Sequence, residues 1–425
     1  MLLSILLICV NIFLLRKLLK RDDVNLFLKI VIAVSYLGWN MIPLLLSNLS
    51  QFNNSFITSK DLYQLCSNVN QGFFACIFFL VNILMGKVKK FSIFYTNDFQ
   101  YSKITVKWLL RVGIVFVTYS IFENLTSSIS YWDNNNLENL DSSSGLIVFI
   151  SHFAIYALLA LVLFYSNYLS KKSFLLSLII VFAYYLSTIY SGARINLFAV
   201  IIVIIYYAYK IRNKHLILLS VILGVIALGL LPTIASLRGD ASFSLKDFNT
   251  SSSSDEILSE IYTKTNSVNT SAILIQHDGI GGGGSQIYMS TALALVPRMM
   301  MPNKPHPGSK DGTLYGLPSR LAVIYSTSGE YNGITNVGIS SSIEMLWALG
   351  WFGLFFLILI TSFLIIIFNQ MLNGGKFLFV IFFLSLVNFP VCQIDVALST
   401  LLISVQRYSI ITLAFYIFFN RNKTK

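Results

Sequence analysis

Four arginines on the predicted outer side are candidate ligands for an anion: Arg194, Arg238, Arg298 and Arg320. Three of them, Arg194, Arg298 and Arg320, lie against or inside apolar sequence. Arginine stays charged at any working pH, and its planar guanidinium donates paired hydrogen bonds to phosphate oxygens. Arg194 also precedes an apolar helix, whose N-terminus adds a favourable dipole and unpaired N–H groups. We interpret the four as ligands of one diphosphate. The alternatives are an interfacial anchor for Arg194 and solvated side chains for the others.

Acidic and histidine side chains in the same part of the chain are candidates to move a proton: Asp240, His277, Asp278, His306, Asp311, Glu330 and Glu344. Histidine titrates near neutrality, and a carboxylate acts as a base when it is partly desolvated. Glu344 ranks first as catalytic base because it enters an apolar helix, where a carboxylate is costly and tends to be functional or paired. His306, in a proline-rich segment, and Glu330, between glycines, rank behind it. The alternative for Glu344 is a structural ion pair with an arginine.

No metal or cofactor site is predicted. The glycine run at 281–284 lacks both the GK[ST] sequence and the preceding strand of a phosphate-binding loop, so we interpret it as a hinge or flexible turn. The histidines of the same segment are too far apart in sequence for a zinc pair. The cysteines form no CxxC pair and are predicted to be buried free thiols: Cys9, Cys66, Cys76 and Cys392.

The composition places these residues in a membrane protein. Of the 425 residues 56% are hydrophobic and only 11% are charged, against about 25% in a soluble domain. The mean hydropathy is +0.72, and both soluble globular and disordered classes are excluded. Apolar runs long enough to cross a bilayer as helices predict an all-α integral membrane protein with about 11 (10–12) transmembrane helices. The runs are 1–15, 26–46, 72–86, 108–122, 145–165, 174–190, 195–209, 216–231, 343–368, 377–392 and 398–419.

The distribution of charge orients these helices. Most of the 30 Lys and Arg residues fall on one side if each run crosses once, and this side includes the 87–107 loop and the C-terminus. The positive-inside rule makes that side cytoplasmic, so the net charge of +12 does not indicate nucleic-acid binding. Residues 1–231 then hold about eight helices and 343–425 about three. Between them 232–342 is one long outer loop with short helices, and a loop of this length is predicted to be functional.

The order of motifs resembles a known family. It runs from an SGAR turn at 191–194, through a long outer loop with Pro-Arg at 297–298 and Lys-Pro at 304–305, to a glycine- and serine-rich segment containing Glu344, with Gly350 and Gly353 after it. This order is similar to that of the Wzy-type O-antigen polymerases, which join oligosaccharide repeat units in bacteria. The likeness in motifs covers about residues 180–360.

The resemblance implies a fold similar to the metal-independent membrane glycosyltransferases that use polyprenyl-linked donors. It implies that undecaprenyl-diphosphate-linked oligosaccharides are donor and acceptor, at the periplasmic face of the inner membrane. The growing chain would leave its lipid diphosphate and join a new repeat unit. Arg194, Arg238 and Arg298 match the expected diphosphate ligands in position. Membrane lipid and a chain-length regulator protein are further candidate partners.

Several aromatic side chains are candidates to stack on sugars, with core packing as the alternative for each: Tyr288, Tyr315, Tyr325, Tyr331 and Trp347. Two other functions stay open. An O-antigen ligase would use the same donor and transfer to a lipid A core. A lipid-linked oligosaccharide flippase would need charges along a central cavity through many helices, whereas here they concentrate in one outer loop, which favours an enzyme.

Overall fold

The structure is a computed structural model, and it describes part of the chain in detail. The described residues are 2–47, 58–88, 90–91, 110–122, 142–190, 197–212, 214–215, 218–219, 222, 267–284, 339–374, 376–387, 405 and 409. Their regular structure is helical, with no β-strand among them. The all-α prediction is therefore confirmed for this part of the chain.

The helices follow the predicted apolar runs closely. They are α1 (Leu2–Leu19), α2 (Leu26–Tyr36), a π-helix (Leu37–Met41), α3 (Ile42–Ser47), α4 (Lys60–Leu84), α5 (Leu110–Phe122), α6 (Ser142–Phe164), a 3-10 turn (Ser166–Tyr168), α7 (Lys171–Tyr190), α8 (Leu197–Lys210), α9 (Ser267–Asp278), α10 (Ser341–Gly374) and α11 (Phe377–Leu386). The run at 398–419 and most of the run at 216–231 lie outside the described residues.

Three described helices are long and apolar enough to cross a membrane. They are α4, α7 over Lys171–Thr188, and α10. Large apolar side chains are also exposed on helix surfaces, for example Phe13 at 67% and Phe352 at 76%. A soluble protein rarely exposes such side chains in contiguous patches, whereas a lipid-facing helix does. The fold is thus compatible with a membrane protein, while the predicted total of about 11 spans stays a prediction.

The chain divides into two compact units. The first unit comprises Met1–Lys90, Ile261–Asn373 and Cys392–Lys425, and the second Phe91–Glu260 and Gly374–Val391. The candidate residues that the structure describes all lie in the first unit.

Buried amide groups join three helices of the first unit. Asn11 of α1 donates from Nδ2 to the backbone oxygen and to Oε1 of Gln71 in α4, both at 3.0 Å. The hydroxyl of Tyr36 in α2 donates to the same Oε1 at 2.8 Å. The ring of Tyr36 packs on Phe74 and Phe78, with centroids 5.3 and 5.5 Å away. Polar bonds inside an apolar bundle fix helix register more specifically than apolar packing does.

One end of this unit is held by the Arg21–Asp23 pair. Arg21 donates from Nη1 to the Asn82 carbonyl at 2.8 Å and from Nη2 to the Met85 carbonyl at 2.7 Å, at the C-terminus of α4. It also donates from Nε and Nη2 to the Asp23 carboxylate at 2.8 and 2.7 Å. The Nδ2 of Asn369 in α10 donates to the backbone oxygen of Asp23 at 2.9 Å. Arg21 thus satisfies carbonyls that a helix end leaves unpaired.

The second unit is built around α6. Its residues 158–163 are each at most 1% exposed, and α8 and α11 pack on this helix. The hydroxyl of Tyr207 in α8 donates to the Val162 carbonyl. Gly113 of α5 lies so close to α6 that an added Cβ would be 3.1 Å from the Leu158 side chain. A helix that is apolar on all sides is expected at such a central position.

The cysteine prediction is only partly right. Cys66 is buried, but Cys9 and Cys76 are exposed on the surfaces of α1 and α4. An apolar run does not distinguish a lipid-facing position from a core position, since both environments are apolar. Cys392 lies outside the described residues.

Candidate functional site

Of the ranked site residues, the structure describes Glu344. The remaining ones lie outside the described residues: Arg194, Arg238, Arg298, Arg320, His306 and Glu330. Their convergence on one diphosphate therefore stays a prediction.

Glu344 lies in the first turn of α10 and is completely buried, with 0% of its surface exposed. The three serines before it, at 340–342, are also at most 1% exposed. Burying a carboxylate is costly unless other groups of the protein compensate the charge. Such enclosure favours the structural alternative for Glu344, because a general base must reach the hydroxyl that it deprotonates. Its predicted role as the base stays a prediction.

A network centred on Asn70 of α4 holds this end of α10. Ser342 donates from Oγ to Asn70 Oδ1 at 2.8 Å, and Ser340 donates to the same oxygen at 3.2 Å. Asn70 in turn donates from Nδ2 to Asn40 Oδ1 at 2.6 Å, and Asn40 donates to the Ser35 carbonyl at 2.9 Å. Asn40 belongs to the π-helix, and π-helical turns often mark functional sites.

Helix α9 is tied to the same segment. The backbone N–H of Ser340 donates to Ser271 Oγ at 2.8 Å, and this hydroxyl donates to the Ser267 carbonyl at 2.6 Å. Thr58, just before α4, donates to Asn269 Oδ1 at 3.0 Å. Short polar side chains of α9 thus bond to its neighbours beside the buried apolar residues Val268 and Ala272, so hydrogen bonds help to fix its position.

The helical hydrogen bonding of α10 is interrupted at Gly350, almost two turns after Glu344. Gly350 has φ 63° and ψ −153°, far from helical values. A helix that ends here leaves carbonyls of its last turn without intrahelical donors. The glycine run at 281–284 provides two donors: the N–H of Gly281 donates to the Leu346 carbonyl at 3.1 Å, and that of Gly283 to the Trp347 carbonyl at 3.0 Å. Replacement donors of this kind allow a broken helix in an apolar environment.

Most of the glycine run packs too closely for a side chain, since a Cβ added at Gly282, Gly283 or Gly284 would lie 2.9 Å or less from a neighbouring atom. A Cβ added at Gly283 would lie 2.1 Å from Cε2 of Trp347, so the position requires glycine. The sequence-based interpretation of a hinge or flexible turn is right that these residues form a turn, but the turn is packed on α10. Trp347 is itself 0% exposed, so its interpretation as a sugar-stacking aromatic is replaced by the core-packing alternative.

An oriented histidine stands at the C-terminal end of α9. Asp278 lies between two side chains: its Oδ1 is 2.7 Å from Nδ1 of His277, and its Oδ2 accepts a hydrogen bond from Trp347 Nε1 at 3.0 Å. The His277 side chain is 56% exposed and that of Asp278 24%. In the neutral imidazole whose Nδ1–H donates to the carboxylate, Nε2 is the basic nitrogen. A carboxylate that fixes the imidazole in this way is the arrangement of an oriented general base.

Sequence reasoning named His277 and Asp278 as candidates but ranked neither. Their adjacency gave no orientation, because neighbouring residues on a helix point in different directions. What orients the pair is Trp347, 69 residues later in the chain than Asp278, together with the glycine run that fixes the turn after α9. Only the fold brings these residues together.

Comparison with known proteins adds no assignment: no protein-family model, no curated protein and no solved structure matches this chain.

Proposed function

We propose that the chain is a Wzy-type polymerase, a membrane glycosyltransferase that joins undecaprenyl-diphosphate-linked oligosaccharide repeat units into a surface polysaccharide. The observation that supports this best is the oriented His277–Asp278 pair beside the N-terminal end of α10, in a helix bundle with long apolar helices. An exposed, oriented imidazole next to a membrane-crossing helix suits proton transfer from the hydroxyl of a lipid-linked substrate.

In the proposed reaction His277 is the base. Its Nε2 takes the proton from the acceptor hydroxyl, whose oxygen attacks the anomeric carbon of the growing chain. The bond from that carbon to the diphosphate oxygen breaks, and the lipid diphosphate leaves with the electron pair. Arg194, Arg238, Arg298 and Arg320 are proposed to stabilise the charge that develops on the leaving group. No metal is needed for these steps, since the arginines supply the positive charge.

The proposed location is the bacterial inner membrane, with 232–342 on the periplasmic side. Helix α9 lies within that segment, and the charge distribution of the sequence supports this orientation. From Trp351 to Asn369, at the Arg21–Asp23 end, α10 extends about 27 Å, close to the roughly 30 Å of a bilayer core. The two ends of this part of α10 would then lie near opposite membrane surfaces.

The decisive experiment is polymerisation of a purified lipid-linked repeat unit by the purified protein. A ladder of longer lipid-linked products supports the polymerase. Transfer to a lipid A core with no ladder identifies a ligase, and movement of the substrate across the bilayer with no new glycosidic bond identifies a flippase.

Variants of the arginines test the diphosphate site in the same assay. Arg194→Ala and Arg298→Ala should abolish the ladder, whereas Lys at either position should restore it only partly, because an ammonium cannot make the planar paired contact. Arg212→Ala, in the second unit just after α8, is the control for lost positive charge. Full activity of both Ala variants would exclude a diphosphate role for them.

A further inference from the structure

A small cavity with polar walls lies inside the first unit, away from the His277–Asp278 pair. Its volume is about 10 Å³. It is lined by Asn40 and Pro43 of the π-helix and α3, by Ser67, Asn70 and Gln71 of α4, and by three apolar or aromatic neighbours, Leu44, Tyr63 and Val268. A cavity needs about 10–15 Å³ to hold one water molecule, so this one has room for one and for nothing larger.

The cavity also has a hydrogen-bonding group that no protein atom satisfies. Ser67 is 3% exposed, and its Oγ has no hydrogen-bond partner within the described part of the chain. A buried hydroxyl without a partner is rare and costs free energy. Here the hydroxyl belongs to a side chain that lines this polar cavity.

The amides around the cavity have hydrogen-bonding capacity to spare. Asn70 uses one of its two amide hydrogens on Asn40, and Asn40 uses one of its own on the Ser35 carbonyl. Each of these amide groups therefore has a second N–H beyond the bonds that the described residues make. A water molecule needs two to four polar partners, and the Ser67 hydroxyl with these amides can supply them.

We propose that one buried water molecule occupies this cavity, hydrogen-bonded to Ser67 Oγ and to the amide side chains of Asn40 or Asn70. The lining side chains carry no formal charge, and a dehydrated cation in such a site would lack the compensation it requires. Water is therefore the ligand that the chemistry selects. This inference is independent of the proposed enzymatic function, because it concerns a different set of atoms.

The water adds to the hydrogen-bond network around Asn70 that holds the N-terminal end of α10. It ties the π-helix to α4 at the level of Asn70, the same amide that accepts hydrogen bonds from Ser340 and Ser342. A π-helical turn is unusual, and the bond to the water helps to keep Asn40 facing the cavity. The water is thus an integral part of the first unit.

Two matched serine variants test the proposal by the sign of their effect on thermal unfolding in detergent. Ser67→Ala removes a partner of the water and should lower Tm by about 2 °C. Ser362→Ala removes another buried hydroxyl without a partner among the described residues, one that does not line this cavity, and should leave Tm unchanged or raise it. If Ser67→Ala also leaves Tm unchanged or raises it, or if both variants lower Tm equally, the water is not there.

Structure determination and salt dependence separate water from a cation. A density map that resolves ordered water should show a peak about 2.7–3.0 Å from Ser67 Oγ, and an empty cavity in such a map overturns the proposal. Wild-type Tm should be the same in sodium, potassium and choline chloride at equal ionic strength. A stabilisation specific to sodium would replace the water with a cation.

Discussion

Two sets of buried polar side chains, one in each unit, differ in the range of their hydrogen bonds. In the second unit the hydroxyls of Ser187 and Thr188 donate to carbonyls three residues earlier in their own helix, both at 2.7 Å. In the first unit, by contrast, Asn70 connects to Ser342, 272 residues away. A local bond satisfies a polar side chain within its own helix and does not determine which helix packs beside it. A long-range bond holds different helices in one arrangement. The long-range bonds indicate that the helices of the first unit must keep one exact arrangement. The oriented His277 lies in this first unit.

The largest expected effect concerns His277. His277→Ala should reduce polymerisation about 10²–10⁴-fold, because the oriented base is lost, while the yield of folded protein is unchanged. His215→Ala, an exposed histidine in the second unit, is the matched control and should keep full activity. Single-turnover rates on the lipid-linked repeat unit measure both variants. Normal turnover by His277→Ala would contradict its role as the base.

Glu344→Gln separates the two candidate bases. Gln keeps the size of the side chain and its hydrogen bonding but cannot take a proton at neutral pH. Because Glu344 is fully enclosed, we expect this variant to change Tm while folded molecules turn over within about tenfold of wild type. If Glu344→Gln is inactive while His277→Ala is active, Glu344 is the base and His277 is not.

The next effect tests the difference between the units directly through stability. Asn70→Ala removes the acceptor of two serine hydroxyls and the donor to Asn40, and we expect it to lower the free energy of unfolding by about 2–4 kcal/mol. Ser177→Ala, in α7, removes a local bond of the second unit, from Oγ to the Ser173 carbonyl at 2.8 Å, and should cost about 0.5 kcal/mol or less. Denaturant titration in detergent measures both. Equal effects would show that the long-range network is not what holds the first unit together.

The apolar runs of the sequence predicted a helix well where the whole helix is apolar. The run at 145–165 corresponds to α6, which is apolar except for its first turn and the pair Ser151 and His152. The run at 72–86 missed the first half of α4, which begins at Lys60, because polar side chains there lower the average hydropathy. Ser67, Asn70 and Gln71 follow an i, i+3, i+4 spacing and so share one helix face. That spacing was the available signal for a buried polar face.

The candidate site was only partly predictable for a different reason. The position of Glu344 at the start of α10 followed from its entry into apolar sequence, but its complete burial did not. The serines before it bond to Asn70 of α4 and Ser271 of α9, which are distant in sequence. For the same reason four consecutive glycines were equally compatible with a hinge and with a close approach. The contact with Trp347 decides between the two, and only the fold supplies it.

A smaller loss of stability should follow from adding a side chain where the glycine run packs on Trp347. Gly283→Ala places a Cβ about where the Trp347 indole lies, and overpacking of this kind costs about 1–3 kcal/mol. Gly72→Ala, in α4, meets nothing within 4 Å and should stabilise the helix by about 0.5–1 kcal/mol. The two variants add the same methyl group, so the difference in Tm isolates the packing of the turn. Equal Tm values would mean that the turn shifts to accommodate the added methyl group at little cost in stability.

The smallest expected effect concerns pH and the Arg21–Asp23 pair. Hydrogen bonds from Arg21, aided by its positive charge, lower the pKa of Asp23 against the opposing effect of burial. A carboxylate with a lowered folded-state pKa adds stability above its unfolded pKa of about 4, and that stability is lost as pH falls through the folded value. The effect is small because 44% of the Asp23 side chain is exposed and solvent screens the pair. Wild-type Tm should therefore fall more than that of Asp23→Asn between pH 6 and pH 3, and parallel curves would show that the pair contributes nothing.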